Sequence, residues 1–243
     1  MAVSIAKGLR SLADLIAPRS CICCGRELLT DENHICVCCL SDLPGTHFEG
    51  LRGNAMSELF NSLLQREMGD AAVHHPFSYA TALYFYKGGF REISKALKYR
   101  RNFAAGDFFA DELARALSGS GLYSDVDAVV GVPLHWMRRF ARGYNQAEVI
   151  ARRVASGLGV PHLPRLLRRA RRTRSQTTLG PESRRANTRG AFSARPCGKQ
   201  LRHILLVDDV CTTGATLAAC ALALYEVFPQ ARVSVATLAF VER

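Results

Sequence analysis

Hydrophobic and polar positions change period several times along the chain, and each change marks an element. Ile5, Leu9, Leu12 and Ile16 recur at helical spacing and predict an amphipathic N-terminal helix. Met56, Leu59, Phe60, Leu63 and Leu64 form a second stripe, which predicts a helix over Ala55–Met68 packed on an unidentified partner. From 78 to 86 (SYATALYFY) strand-forming residues dominate, and Gly88-Gly89 ends the run. A helix over 90–99 follows with Ile93 and Leu97 inward. Asp107 is expected to cap the next one, whose buried stripe is Phe109, Leu113 and Leu117. Residues 126–132 read as a short apolar strand closed by Pro133. Gln146–Leu158 reads as a helix with Ile150, Val154 and Leu158 on one face. Four consecutive apolar residues, 204–207, predict a buried parallel strand. Leu217 then opens an apolar helix running towards Phe228, and Arg232–Phe240 forms a last strand. Strands alternating with helices across 78–243 predict an α/β fold with a mostly parallel, doubly wound sheet. The pattern divides the chain into 1–45, a helical connector at 46–75 and the sheet domain at 76–243.

Length and composition fit that division. The 243 residues, 48% of them hydrophobic, suffice for one sizeable domain and a small appendage. No apolar run approaches the roughly 18 residues of a membrane helix. Lys7, Arg10 and Asp14 interrupt what would be the apolar stretch of a secretory signal, so the expected location is cytoplasmic, with no membrane span. Nine cysteines in such a chain point to metal rather than disulfides. Cys21 and Cys24 make one C-x2-C knuckle, and eleven residues later Cys36 and Cys39 make another. Two knuckles supply four thiolates to one ion, which predicts a structural Zn²⁺ site, and Gly25 supports the first turn. Cys23 and Cys38 lie inside the knuckles as bystanders. His34 is an alternative ligand at poorer spacing, and an iron–sulfur cluster is also held by four thiolates.

Charge is distributed unevenly. The chain carries +11, yet residues 138–189 hold fourteen Arg, no Lys and only two acids, Glu148 and Glu182. That segment is +12 while the remainder sums to −1. Such a concentration suits a polyanion, either a phosphate-rich ligand or nucleic acid; a solvated basic face is the plainer alternative.

The strongest chemical signal follows the 204–207 strand. Asp208 and Asp209 stand where that strand is expected to end. A short loop, Val210, Cys211, Thr212, Thr213, Gly214, Ala215 and Thr216, then leads into the helix. Backbone N–H groups, Thr hydroxyls and the helix N-terminus together describe a phosphate site, which Gly214 lets the backbone close around. The two carboxylates would face hydroxyls or a metal beyond that phosphate. Cys211 is expected to be a small loop residue and not a nucleophile.

This stretch resembles the phosphoribosyl-diphosphate (PRPP) signature of type I phosphoribosyltransferases. Together with CxxC…CxxC, Lys98-Tyr99, GVPLHWMRRFARGYNQAE, RARRTRSQTTL and RRANTRGAF, it resembles the ComF-type family over nearly the whole chain from Pro18 onward. The resemblance implies a zinc ribbon followed by a type I phosphoribosyltransferase-like fold, in bacterial proteins associated with DNA uptake or use of DNA as a nutrient. By position it implies that Asp208 and Asp209 meet the ribose hydroxyls and that Thr212–Thr216 holds the 5′-phosphate. Val132, Pro133 and Leu134 would line a diphosphate loop, Arg142 and Lys98 would supply cations, and Mg²⁺ would accompany PRPP. Asp208, Asp209 and Arg142 are the expected catalytic set. Arg169, Arg171, Arg172, Arg174 and Arg185 belong either to a mobile loop over the diphosphate or to a single-stranded DNA path. DNA-uptake or recombination proteins are expected partners. No aromatic-and-amide cluster marks an acceptor base, so a DNA-binding accessory protein is the competing expectation. A third takes the metal module as a protein-docking platform.

Overall fold

The computed structural model describes residues 18–99, 103–134, 144–169 and 190–242, with Lys98, Tyr99 and Phe103 described by backbone alone. The predicted helix through Ile5 and Ile16 lies outside the described residues. In chain order the described elements are α1 (Val37–Ser41), α2 (Ala55–Met68), a 3-10 turn (Gly69–His74), β1 (Ala80–Phe85), α3 (Gly89–Tyr99) and α4 (Phe103–Ser120). They continue with β2 (Ala128–Gly131), α5 (Gln146–Leu158), β3 (Leu167–Arg169), β4 (Phe192–Ala194), β5 (His203–Cys211), α6 (Ala215–Tyr225) and β6 (Arg232–Phe240). Four strands form one parallel sheet in the order β1-β6-β5-β2, and β3 and β4 make a separate antiparallel pair.

The apolar run at 204–207 is the axis of the molecule. All four residues are 0% exposed, which requires cover on both faces of the sheet. Strand alternation sends Ile204 and Leu206 to one core with α2, α6 and the β3–β4 pair. It sends Leu205 and Val207 to the other, with α3, α4 and α5. Each such side chain contributes roughly 1.5–3 kcal/mol by leaving water. Both sheet edges are covered: Thr46 N–H and Phe85 N–H bond across to the carbonyls of Leu83 and Pro44 beside β1. Residues 161–163 pair with Val129 beside β2.

Most predicted elements occur where expected, with three differences. Asp107 does not cap a helix. The helix begins at Phe103, Asp107 lies within it, and its carboxylate faces Arg153 of α5 at 3.8 Å. The β5 strand does not stop before the acidic pair but runs through Asp208 and Asp209 to Cys211, because β6 pairs with it as far as Phe240. The connector helix α2 has a definite partner: Met56, Phe60 and Leu64 are buried in the core shared with α6 and β1. An Asn54–Ser57 capping box starts α2, and Asn54 Nδ2 also donates to the Ala80 carbonyl, fixing that start to the sheet.

Candidate anion site and four-cysteine centre

The C-terminal ends of β2 and β5 are neighbours. Gly131 is level with Val207, one residue before Asp208. Val132 N–H donates to the Val207 carbonyl, so the turn through Val132, Pro133 and Leu134 starts beside the acidic pair. Helix α5 begins against that turn. A Cβ on Gly131 would lie 3.0 Å from backbone atoms of Ala147 and Glu148, so any side chain there would press on the start of α5. Asn145 Nδ2 donates to the Val132 carbonyl at 3.0 Å and ties the helix start to the same turn.

Alternation along β5 sets Asp208 on the α6 side, with Ile204 and Leu206, and Asp209 on the opposite side, with Leu205 and Val207. The pair lies within β5 on opposite faces of the sheet, half-buried, and Asp209 N–H donates to Asp208 Oδ1 at 2.8 Å. Thr212, Thr213, Ala215 and Thr216 are exposed. Gly214 sits at φ +72° as the N-cap of α6, and Ala215 N–H, the first of the helix, donates to Thr213 Oγ1 at 3.4 Å. Gly214 has a second reason to be glycine: a Cβ there would lie 2.8 Å from Leu63 Cδ1 and 3.7 Å from Leu59. The connector helix therefore leans directly on the loop, a contact no local pattern announces. Cys211 is 3% exposed, and burial with Asp208 nearby pushes its thiol up to about 12, which suits a packing residue and no nucleophile.

Arg169 is exposed on β3, its guanidinium 5.2 Å from the Phe192 ring on β4. Burial, with Asp208 adding to it and Arg169 opposing, pushes the fully buried Cys220 thiol on α6 well above its usual value. Arg142, Arg171, Arg172, Arg174 and Arg185 lie outside the described residues, as does the Lys98 side chain.

The thiols of Cys21, Cys24, Cys36 and Cys39 converge, every Sγ within 4.8 Å of the others. Cys24 and Cys36 are 3.8 Å apart, matching the ~3.8 Å tetrahedron edge implied by a Zn–S bond of about 2.3 Å. Cys36 N–H donates to Cys21 Sγ and Cys39 N–H to Cys36 Sγ, both at 3.4 Å, as thiolates require. The Cys39 backbone bond and the Arg26 guanidinium draw Cys36 down to about 6 against the opposing effect of burial. Burial pushes Cys21 up, but backbone N–H groups of Cys24, Cys36 and Cys23 outweigh it and hold the thiol below its usual value. These residues fit a tetrahedral thiolate metal such as zinc. His34 is not in the cluster and instead meets Phe108 edge-on at 6.2 Å. The centre is not a separate bead: Leu28, Ile35 and both buried cysteines share a core with Phe90, Ile93 and Leu97.

A third constellation escaped the sequence reading. At the opposite end of the strands His203 Nδ1 lies 2.6 Å from Asp125 Oδ1, and its Nε2 lies 2.8 Å from Ser234 Oγ, which also accepts from Tyr79 N–H. The order Asp–His–Ser suggests a hydrolytic triad, but Ser234 is 0% and His203 1% exposed, so no substrate reaches them. The network joins β5, β6 and the β1 entry structurally. Burial lowers the His203 pKa against the opposing pull of Asp125. Above about pH 6.5 both folded and unfolded states are neutral; below it the unfolded imidazole takes a proton that the folded one resists. Stability therefore falls as pH drops, by at most about 1.4 kcal/mol per pH unit from this group. Thermal melts from pH 7.5 to 5 are expected to show a falling midpoint, with a shallower slope in His203→Gln; His75, also lowered by burial, supplies part of the rest.

No protein-family model matches the chain. Over 93 residues it is 38% identical to competence protein F of Haemophilus influenzae, which covers 37% of this chain and 41% of that protein. Over 92 residues it is 36% identical to the DNA utilization protein YhgH of Salmonella typhi and 35% identical to that of Escherichia coli K12. Each covers 38% of this chain and 40% of the relative. Over this stretch the chain is similar to these competence and DNA-utilization proteins. The alignments span about two fifths of these relatives' length. Among the described residues no helix is long and apolar enough to cross a membrane.

Proposed function

We propose that the chain is a PRPP-binding, phosphoribosyltransferase-like protein of the cytoplasm, serving DNA uptake or utilisation as the names of its relatives suggest. The observation that carries the reading is the sequence Asp208-Asp209 and the glycine-capped Thr212–Thr216 loop, set at the end of β5 beside the end of β2. The α6 N-terminus and the Thr hydroxyls receive the 5′-phosphate. Asp208 and Asp209 accept from the ribose 2′- and 3′-hydroxyls and stabilise positive charge as it develops on the sugar. The Val132–Leu134 turn offers backbone N–H groups to the diphosphate, Pro133 excepted, and Lys98 and Arg142 add charge there. Mg²⁺, when bound with PRPP, neutralises the diphosphate. An acceptor nitrogen bonds to C1 of the ribose, the C1–O bond breaks with its electron pair on oxygen, and pyrophosphate leaves. Zinc in the four-thiolate centre is structural.

A second reading, a non-catalytic binder of single-stranded DNA, is favoured by the +12 segment, of which Arg169 is exposed on β3. One experiment separates them: pyrophosphate release from PRPP and Mg²⁺ across a panel of bases, nucleosides and oligonucleotides. Acceptor-dependent release supports transfer. No release with any acceptor, together with oligonucleotide binding that weakens steeply with salt, supports the second reading.

A further inference from the structure

A single carboxylate ties the two cysteine knuckles together. Glu32 Oε1 accepts from Val37 N–H and from Arg26 Nη2, both at 2.8 Å, and its Oε2 accepts from Leu29 N–H at 2.8 Å. Val37 lies inside the second knuckle, between Cys36 and Cys39, and opens α1. Arg26 stands two residues beyond the first knuckle, and Leu29 belongs to the stretch between the two. Donors from three separate points of the module thus converge on one side chain, which is 10% exposed.

Arg26 carries the contact on to the metal ligands. Its guanidinium also donates to the Cys36 sulfur, and its backbone carbonyl accepts from Cys21 N–H at 2.7 Å. Cys21 and Cys36 are the two buried thiols of the centre. The Glu32 backbone is held in turn. Its N–H donates to the Leu29 carbonyl at 3.0 Å, and its carbonyl accepts from Arg19 Nη1 at 2.6 Å. A negative charge near a cluster of thiolates is repelled by them. Here the N–H groups of Leu29 and Val37 hold the Glu32 carboxyl below its usual value and keep it ionised. A surface Arg–Glu pair contributes little by itself, so the worth of this one lies in what it orients.

We infer that Glu32 is a positioning residue of the four-cysteine centre: it holds Arg26 against Cys36 and fixes the second knuckle relative to the first, so that four thiolates meet one ion. The clasp needs the thiolate centre and no sugar phosphate, so it is independent of the PRPP site proposed above. The test titrates a chromophoric chelator into the full chain loaded with Zn²⁺, as wild type, Glu32→Gln, Arg26→Met and the double variant. Glu32→Gln is expected to weaken zinc binding about 10- to 100-fold, the range for residues that orient metal ligands. Arg26→Met should lose part of the same affinity and cost little more when added to Glu32→Gln, because one acts through the other. A carboxylate that merely held backbone would give additive losses. Co²⁺ in place of zinc should show the visible bands of a tetrahedral four-thiolate site in every variant, since the ligands are intact. Wild-type zinc affinity in Glu32→Gln overturns the positioning role, as does full additivity with Arg26→Met. Altered Co²⁺ bands in Glu32→Gln would make Glu32 part of the ligand set and overturn it too. Should Glu32→Gln fail to fold, Arg26→Met decides alone: that side chain is 44% exposed, and wild-type zinc affinity there overturns the clasp. A wild-type chain that binds no zinc overturns it as well.

Discussion

Cys36→Ser is expected to leave the protein without bound metal and largely unfolded. Cys36 is 1% exposed, it supplies one of four converging thiols, and its side chain also caps α1 by accepting from Cys39 N–H. Structural zinc in comparable thiolate sites contributes on the order of 10–16 kcal/mol of apparent binding energy, against a total stability of about 5–15 kcal/mol for a typical domain. Losing one ligand thus removes a quantity comparable to the whole. The damage does not stay local, because Cys21, Leu28, Ile35 and Cys36 line the same core as Phe90 and Leu97. Elemental analysis and a circular-dichroism melt check this, with exposed Cys38→Ser as the control that keeps metal and fold. Equal metal loss in both variants would show that the ligand set is wrong.

The second large effect is expected at the acidic pair. Asp208→Asn and Asp209→Asn should each lower affinity for Mg²⁺-PRPP roughly 10- to 100-fold, since a hydrogen bond to a charged group contributes about 1.5–3 kcal/mol. Their positions on opposite sides of β5 make the two losses separable, one for each face of the sheet end. Ligand-induced thermal shift reads them directly. A ligand that binds only the folded state raises the midpoint in wild type, and both variants should lose most of that rise at equal ligand concentration. Unliganded melting should be little changed, because both residues are half-buried and outside either core.

Much of the fold was legible because its signals are local. The stripe of Ile150, Val154 and Leu158 predicts a helix over Gln146–Leu158, which has those bounds and ends on Gly159 at φ +68°; the last strand, Arg232–Phe240, also has its predicted bounds. Errors came where tertiary pairing overrides local pattern. Asp107 looks like a cap, but the turn before it is helical too, and the carboxylate serves Arg153 instead. The acidic pair looks like a strand terminus, but the β6 partner carries β5 on to Cys211. The four-cysteine spacing gave the ligand set, since each knuckle is a local turn, but nothing local revealed that Cys23 seats the module on Gly89. Likewise the Asp125–His203–Ser234 network spans separations of 78 and 31 residues, and no spacing rule reaches that far. The lean of Leu59 and Leu63 on Gly214 is of the same kind: the stripe predicted a buried face, and only the fold could name its neighbour.

The claim on which the rest depends is that the loop after β5 holds a sugar phosphate. Isothermal calorimetry of PRPP titrated with Mg²⁺ into the zinc-loaded wild-type chain measures it most directly. The expected result is saturable binding at one site per chain, weakened in Asp208→Asn and in Asp209→Asn. Absence of heat at millimolar PRPP, or binding indifferent to both substitutions, would contradict it.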